Sequence, residues 1–210
     1  MKMGIIIVIL IGAIILILFQ RNFKIQTFQT FSESAGEDTN ESSSIFFHED
    51  DYKQVEIVPS ENFGELIKQA ENVQDFAEKH FDGGAFTDIM IREENGFKLK
   101  NRGIKPRELD LILLDLPINK YTEVSTGIRP GEMNSENTYG YGENYNGIFF
   151  DFEFDSVTGI WIVGSPEVKN KEFVQVLNNI GNKWNLLLMD WNSLELIDLK
   201  DKEQIENYLN

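Results

Sequence analysis

Ile148-Phe149-Phe150-Asp151-Phe152-Glu153-Phe154-Asp155 alternates apolar and acidic side chains along most of its length. A period of two marks a strand with one buried face and one wet face. On that reading Ile148, Phe150, Phe152 and Phe154 point to the core, and Asp151, Glu153 and Asp155 point away from it. Residues 156–159 (Ser-Val-Thr-Gly) then turn the chain into a second apolar run, 160–164 (Ile-Trp-Ile-Val-Gly). Two strands joined by a short turn pair antiparallel, so the stretch predicts a hairpin at the heart of an antiparallel sheet.

On the C-terminal side, residues 166–180 open with proline and carry Val168, Phe173, Val176, Leu177 and Ile180 at helical spacing. They predict a helix with one apolar stripe. Residues 184–191 and 194–199 read as another hairpin, and Asp201-Lys-Glu-Gln204 is a capping box for a last helix that buries Ile205, Tyr208 and Leu209. On the N-terminal side, residues 60–81 predict a long amphipathic helix with Ser60 as N-cap, stopped by Asp82-Gly83-Gly84. Residues 86–92 and 96–100 flank Glu93-Glu94-Asn95-Gly96, a turn sequence, and predict a further hairpin. Pro106 starts a short helix to about 114, and 121–128 alternates like a strand. The predicted fold class is α+β: a mostly antiparallel sheet of hairpins with helices packed on it, forming a single soluble domain over residues 45–210.

Residues 131–147 (GEMNSENTYGYGENYNG) lack apolar periodicity and read as a long connection. Loops of that length are often binding elements. Tyr139, Tyr141 and Tyr145 among Gly, Asn and Glu have the composition of a recognition surface, so they are the candidate partner-binding residues.

Residues 4–19 contain no polar side chain, with Lys2 before them and Arg21 and Lys24 after. As a helix they span roughly 24 Å, close to a hydrocarbon core of about 30 Å. The reading is a transmembrane anchor with its flanks over 1–24, followed by a juxtamembrane segment and an acidic, Ser-rich linker over 25–44. No small-residue cleavage site follows the apolar run closely, which favours an uncleaved anchor over a signal peptide. The expectation is a single-pass protein of a bacterial cell membrane. Lys2 and the amino terminus balance Arg21 and Lys24, so flanking charge sets no orientation.

The chain carries 35 Asp and Glu against 19 Lys and Arg, a formal net charge of −16. Such a surface repels phosphate backbones and anionic lipid, and it favours a basic protein partner. Nucleic acid is therefore not an expected ligand. One local exception is the run Lys98, Lys100, Arg102, Lys105 and Arg107, read as a solvated edge.

Chemistry is thinly represented. There is no cysteine, and the two histidines, His48 and His80, lie near no nucleophile motif. Phosphate-loop, dinucleotide and zinc patterns are absent. The one constellation with metal-like spacing is Asp151, Glu153 and Asp155, a possible seat for a divalent cation if Asp190 or Asp88 joined it. Two functions are thus open. The first is a membrane-anchored acidic protein-binding module without catalysis, for example one that neutralises a bacterial toxin and needs no cofactor. The alternative is a divalent-metal-dependent hydrolase built on the carboxylate face.

Overall fold

The computed structural model describes residues 44–93, 96–143, 145–164 and 170–210. The predicted anchor over 4–19 and the linker to residue 43 lie outside the described residues, as do 94–95, 144 and 165–169. No helix among the described residues is long and apolar enough to cross a membrane.

Ten strands and four helices are described: β1 (Ile45–His48), β2 (Val55–Pro59), α1 (Phe63–His80), α2 (Pro106–Leu113), β3 (Asn119–Tyr121), β4 (Val124–Gly127), β5 (Met133–Asn134), β6 (Thr138–Glu143), β7 (Asn146–Glu153), β8 (Ser156–Val163), α3 (Asn170–Trp184), β9 (Leu186–Asp190), β10 (Glu195–Asp198) and α4 (Lys202–Leu209). Seven strands form one antiparallel sheet in the order β10-β9-β2-β8-β7-β6-β3. The other three form a small sheet, β1-β4-β5, in which β1 and β4 run parallel. The fold is α+β with a large antiparallel sheet, as the alternating pattern predicts.

The large sheet is covered on both faces. Ile148, Phe150, Ile160 and Ile162 point into the main core with Leu109 and Leu113 of α2, Val176, Leu177 and Ile180 of α3, and Ile205 of α4. On the opposite face, Phe149 and Trp161 stack at 5.6 Å and meet Ile45, Phe47 and Val124 of the small sheet. Further along that face, Leu187 and Met189 of β9 pack with Leu66 of α1. Consecutive buried residues in β7 and β8 follow from this cover, because a strand with both faces dry needs no polar partner set.

Several expectations change. The hairpin turn falls at Phe154 and Asp155, with Glu153 opposite Ser156, not at 156–159. Phe154 has φ 53° and is fully exposed, so it leaves the predicted core row. The cause is its place as the first residue of the two-residue turn; beside that turn Asp151 faces Gly159 but Phe152 faces Val157, so β8 carries one extra residue in a bulge. The predicted 121–128 strand divides between β3 in the large sheet and β4 in the small one. The hairpin predicted over 86–100 does not form. Instead, Asn62 at the start of α1 clasps the backbone of Phe97 through both its amide groups, at 2.9 and 2.7 Å, and Leu99–Arg102 makes a 3-10 turn. The ends of this stretch are pinned to α1 rather than to each other.

The terminal elements match their sequence signals. The Asp201 carboxylate accepts from the Glu203 and Gln204 backbone N–H groups, capping α4. Strands β9 and β10 pair as the predicted third hairpin, Glu195 facing Asp190. Helix α3 continues past its predicted end to Trp184.

Candidate functional site

Tyr139, Tyr141 and Tyr145 do not share a loop. Residues 138–143 are strand β6, paired along its whole length with β7, and 133–134 are strand β5. The Tyr-Gly-Tyr-Gly sequence is itself a period of two. Its tyrosines face the main core, and its glycines face the small sheet. A Cβ on Gly140 would stand 2.7 Å from Ile45 Cγ2 and 2.9 Å from Phe149 Cε1, so glycine is what lets β1 approach. The apolar count misses this strand because its small residues carry the close contact.

Tyr141 is fully buried, and its hydroxyl donates to the carboxylate of Asp110 on α2. The same Asp110 oxygen lies 2.5 Å from Lys120 Nζ on β3. Lys120 also lies over the Tyr139 ring at 4.8 Å. Burial first, then the neighbouring Asp110 carboxylate, pushes the Tyr141 phenol far above its ordinary range. It therefore keeps its proton and serves as a donor that fixes α2 to the sheet. Tyr139 is half-buried against Phe150 and Phe152, at 5.5 and 5.0 Å. Tyr145 alone is well exposed, edge-on to Phe46 at 5.7 Å. The predicted three-tyrosine surface is corrected to one accessible ring, because alternation along β6 turns Tyr139 and Tyr141 inward.

The three carboxylates also part company. Asp151 lies on the face covered by the small sheet, where it accepts from Thr138 at 2.7 Å and Tyr52 at 2.8 Å. Asp155, in the turn, pairs with Lys105 at 2.8 Å. Glu153 is exposed at the strand end. Asp190 is engaged elsewhere, accepting from Asn192 N–H at 2.8 Å and from the Tyr208 hydroxyl at 3.0 Å. Asp88 lies 3.9 Å from His80 Nδ1. Among the described residues no group of three or more His, Cys, Asp or Glu side chains is placed to hold a metal ion. The turn at Phe154 and Asp155 takes Asp155 off the face that alternation predicts, and Asp151 on that face is engaged by Thr138 and Tyr52.

Two members of the basic run, Arg102 and Lys105, are committed to structure. Arg102 pairs with Glu61 and donates to the Asn185 carbonyl at 3.2 Å, and Lys105 takes Asp155. Arg102 also covers the Phe97 ring at 5.4 Å. His48 accepts from Asp50 N–H at 3.2 Å, and His80 stacks on Phe76 at 4.1 Å.

A different surface stands out. Of fifteen large apolar side chains exposed among the described residues, eight fall within 63–97: Phe63, Ile67, Phe81, Phe86, Ile89, Met90, Ile91 and Phe97. The stretch is held in place. Phe81 bridges Phe86, the Asp82 carboxylate accepts from Gly84 and Ala85 N–H at 2.9 Å each, and Thr87 N–H donates to the His80 carbonyl at 2.8 Å. Those two backbone donors hold the Asp82 carboxyl below the usual range. Beyond Asp88 the side chains alternate. Ile89 and Ile91 are 85 and 87% exposed, Met90 is 37%, and Arg92 turns inward over the Trp191 ring at 4.2 Å. Trp191 Nε1–H in turn donates to Glu56 at 2.8 Å. Between α1 and residues 90–93 runs a groove of about 260 Å³ whose lining includes Glu65, Gln69, Val73 and Met90. Sequence reasoning missed this surface by assigning 86–92 a strand partner that is not found among the described residues. Asp88-Ile-Met-Ile-Arg92 carried the signal: a period of two with no sheet edge to meet it.

In comparisons with known proteins, no family model, no curated protein and no solved structure matches this chain.

Proposed function

We propose that this protein is a non-catalytic, acidic protein-binding module held at a membrane by residues 4–19, whose partner is a basic protein. The observation that carries the reading is the succession of exposed apolar side chains Phe86, Ile89, Met90 and Ile91, on a domain whose sheet is otherwise covered on both faces. A large branched side chain left in water forgoes about 1.5–3 kcal/mol of burial, and clustered exposure of this kind marks an interaction site. The net charge of −16 adds steering toward a cation-rich partner. Toxin neutralisation at the membrane is one concrete form of this activity, since it needs binding and local concentration but no reacting groups. Cross-linking of the full-length protein in native membranes tests it. A basic protein captured at low ionic strength and released at high salt is the expected product. Recovery of no protein partner under either condition would remove the reading.

A further inference from the structure

Resting on that proposed function, we infer that the partner docks on residues 86–91 against the outer side of α1, through a segment that combines branched aliphatic side chains with Lys or Arg. The aliphatic requirement comes from Phe86, Ile89 and Ile91, which stand 57, 85 and 87% exposed in a row. The cationic requirement comes from their rim. Residues 61–93 hold eight acidic side chains against three basic ones, and Asp82, Asp88 and Glu93 lie in the same stretch as the isoleucines. Of the three cations, Arg92 is turned inward onto Trp191 and Lys68 lines the groove beside Glu65 and Glu93, so the acidic groups outnumber the outward-facing cations and set the sign of the local field.

The same features choose between occupants. A second copy would bring an identical acidic rim against this one, and like charges facing each other disfavour association. An anionic bilayer meets the same repulsion. A basic aliphatic segment satisfies both requirements at once. The surface is also prepared for docking, which limits the ordering cost of binding. Asp82 fixes the turn before it, Asn62 holds Phe97 after it, and Gln69 of α1 donates to the Glu93 carbonyl at 3.1 Å. No strand pairs with residues 87–93 among the described residues.

The test uses full-length protein in nanodiscs and three labelled peptides: alternating Lys and Val, alternating Lys and Ser, and alternating Glu and Val. Fluorescence anisotropy should give measurable binding of the Lys/Val peptide, with the other two at least about ten-fold weaker, a step that corresponds to 1.4 kcal/mol. The double variant Ile89→Ser/Ile91→Ser should weaken Lys/Val binding by about ten-fold or more while its melting temperature stays unchanged. Asp88→Asn should weaken it about two- to three-fold, and that difference should vanish at high salt. Equal binding by the wild-type protein and the isoleucine variant would overturn the inference. If the membrane cross-linking still captures a basic protein, the binding-module reading survives and the docking site lies elsewhere. Failure of the wild-type protein to bind the Lys/Val peptide would overturn the inference as well. So would isoleucine-dependent self-association, or isoleucine-dependent binding to anionic vesicles in place of peptide.

Discussion

Between α2 and β6 the buried phenol of Tyr141 meets the half-buried carboxylate of Asp110, with the Lys120 ammonium at the rim, while a few elements away Ile89 and Ile91 stand almost wholly in water. The two regions reverse the ordinary placement of polar and apolar groups, and they differ in what completes them. In the first, each polar group finds its partner inside the chain: Tyr141 donates to Asp110, and Lys120 neutralises it. Burial without such partners would be costly, so this network is finished within the fold. In the second, the backbone is fixed by Asp82, Thr87 and Asn62, yet the side chains it presents have no counterpart in the described structure. Order without internal partners is what distinguishes a docking surface from a loose loop.

The contrast is broken most forcefully by cutting side chains on either side of it. Phe150→Ala opens a void in the main core and should cost about 3–5 kcal/mol, a large share of a total near 5–15. Ile89→Ala should change stability by less than about 0.5 kcal/mol, since its side chain is already in water. Urea unfolding of both variants measures the difference, and similar losses would show that the two regions are not opposites.

Tyr141→Phe should destabilise by about 1–2 kcal/mol at neutral pH, because the phenol donor is lost while Lys120 still serves Asp110. The effect has a pH signature. Burial and Asp110 raise the folded phenol above its unfolded value near 10, so folding binds the proton more tightly than the open chain does. That stability is fully present below about pH 10 and falls as pH rises further. Tyr208, buried and beside Asp190, is raised in the same way. Alkaline melts should therefore decline in the wild-type protein and decline less steeply, not vanish, in Tyr141→Phe. Parallel curves would detach Tyr141 from the network.

The smallest effect should come from Asp82→Ala. Its carboxylate is fully exposed, so global unfolding should not move, but the Gly84 and Ala85 amides lose their acceptor. Faster hydrogen exchange confined to that turn is the expected result. Acid should mimic it, because the lowered Asp82 pKa keeps the cap intact above the usual carboxylate range and releases it as pH falls through the lowered value.

Much of the framework is legible in the chain. Helical spacing finds α1 and α3, Pro106 marks α2, Asp201 announces α4, and the apolar runs after Trp184 announce β9 and β10. The reason is local: each of those signals is written in residues that contact one another through a turn or a cap. The both-sided burial of β7 is not local. Phe149 breaks the alternating pattern only because Trp161 and a separate small sheet cover that face, and β1, which supplies Phe47 to it, lies a hundred residues away. The candidate sites failed for the same reason. Tyr141 reads as an anchor in a polar loop until β7 pairs beside it, and Asp151, Glu153 and Asp155 read as one face until a two-residue turn takes Asp155 away. Ile89 and Ile91 are visible as a strand pattern, but only three dimensions reveal that no strand among the described residues meets them.

The central claim is that residues 86–91, which meet no strand among the described residues, are the face on which a basic aliphatic segment settles. Amide hydrogen exchange on the full-length protein in nanodiscs, with and without the Lys/Val peptide, reads that face directly. Slowed exchange concentrated at 86–93, with the amides around Tyr145 unchanged, is the predicted outcome. Protection centred on 138–147, with 86–93 unaffected, would contradict it.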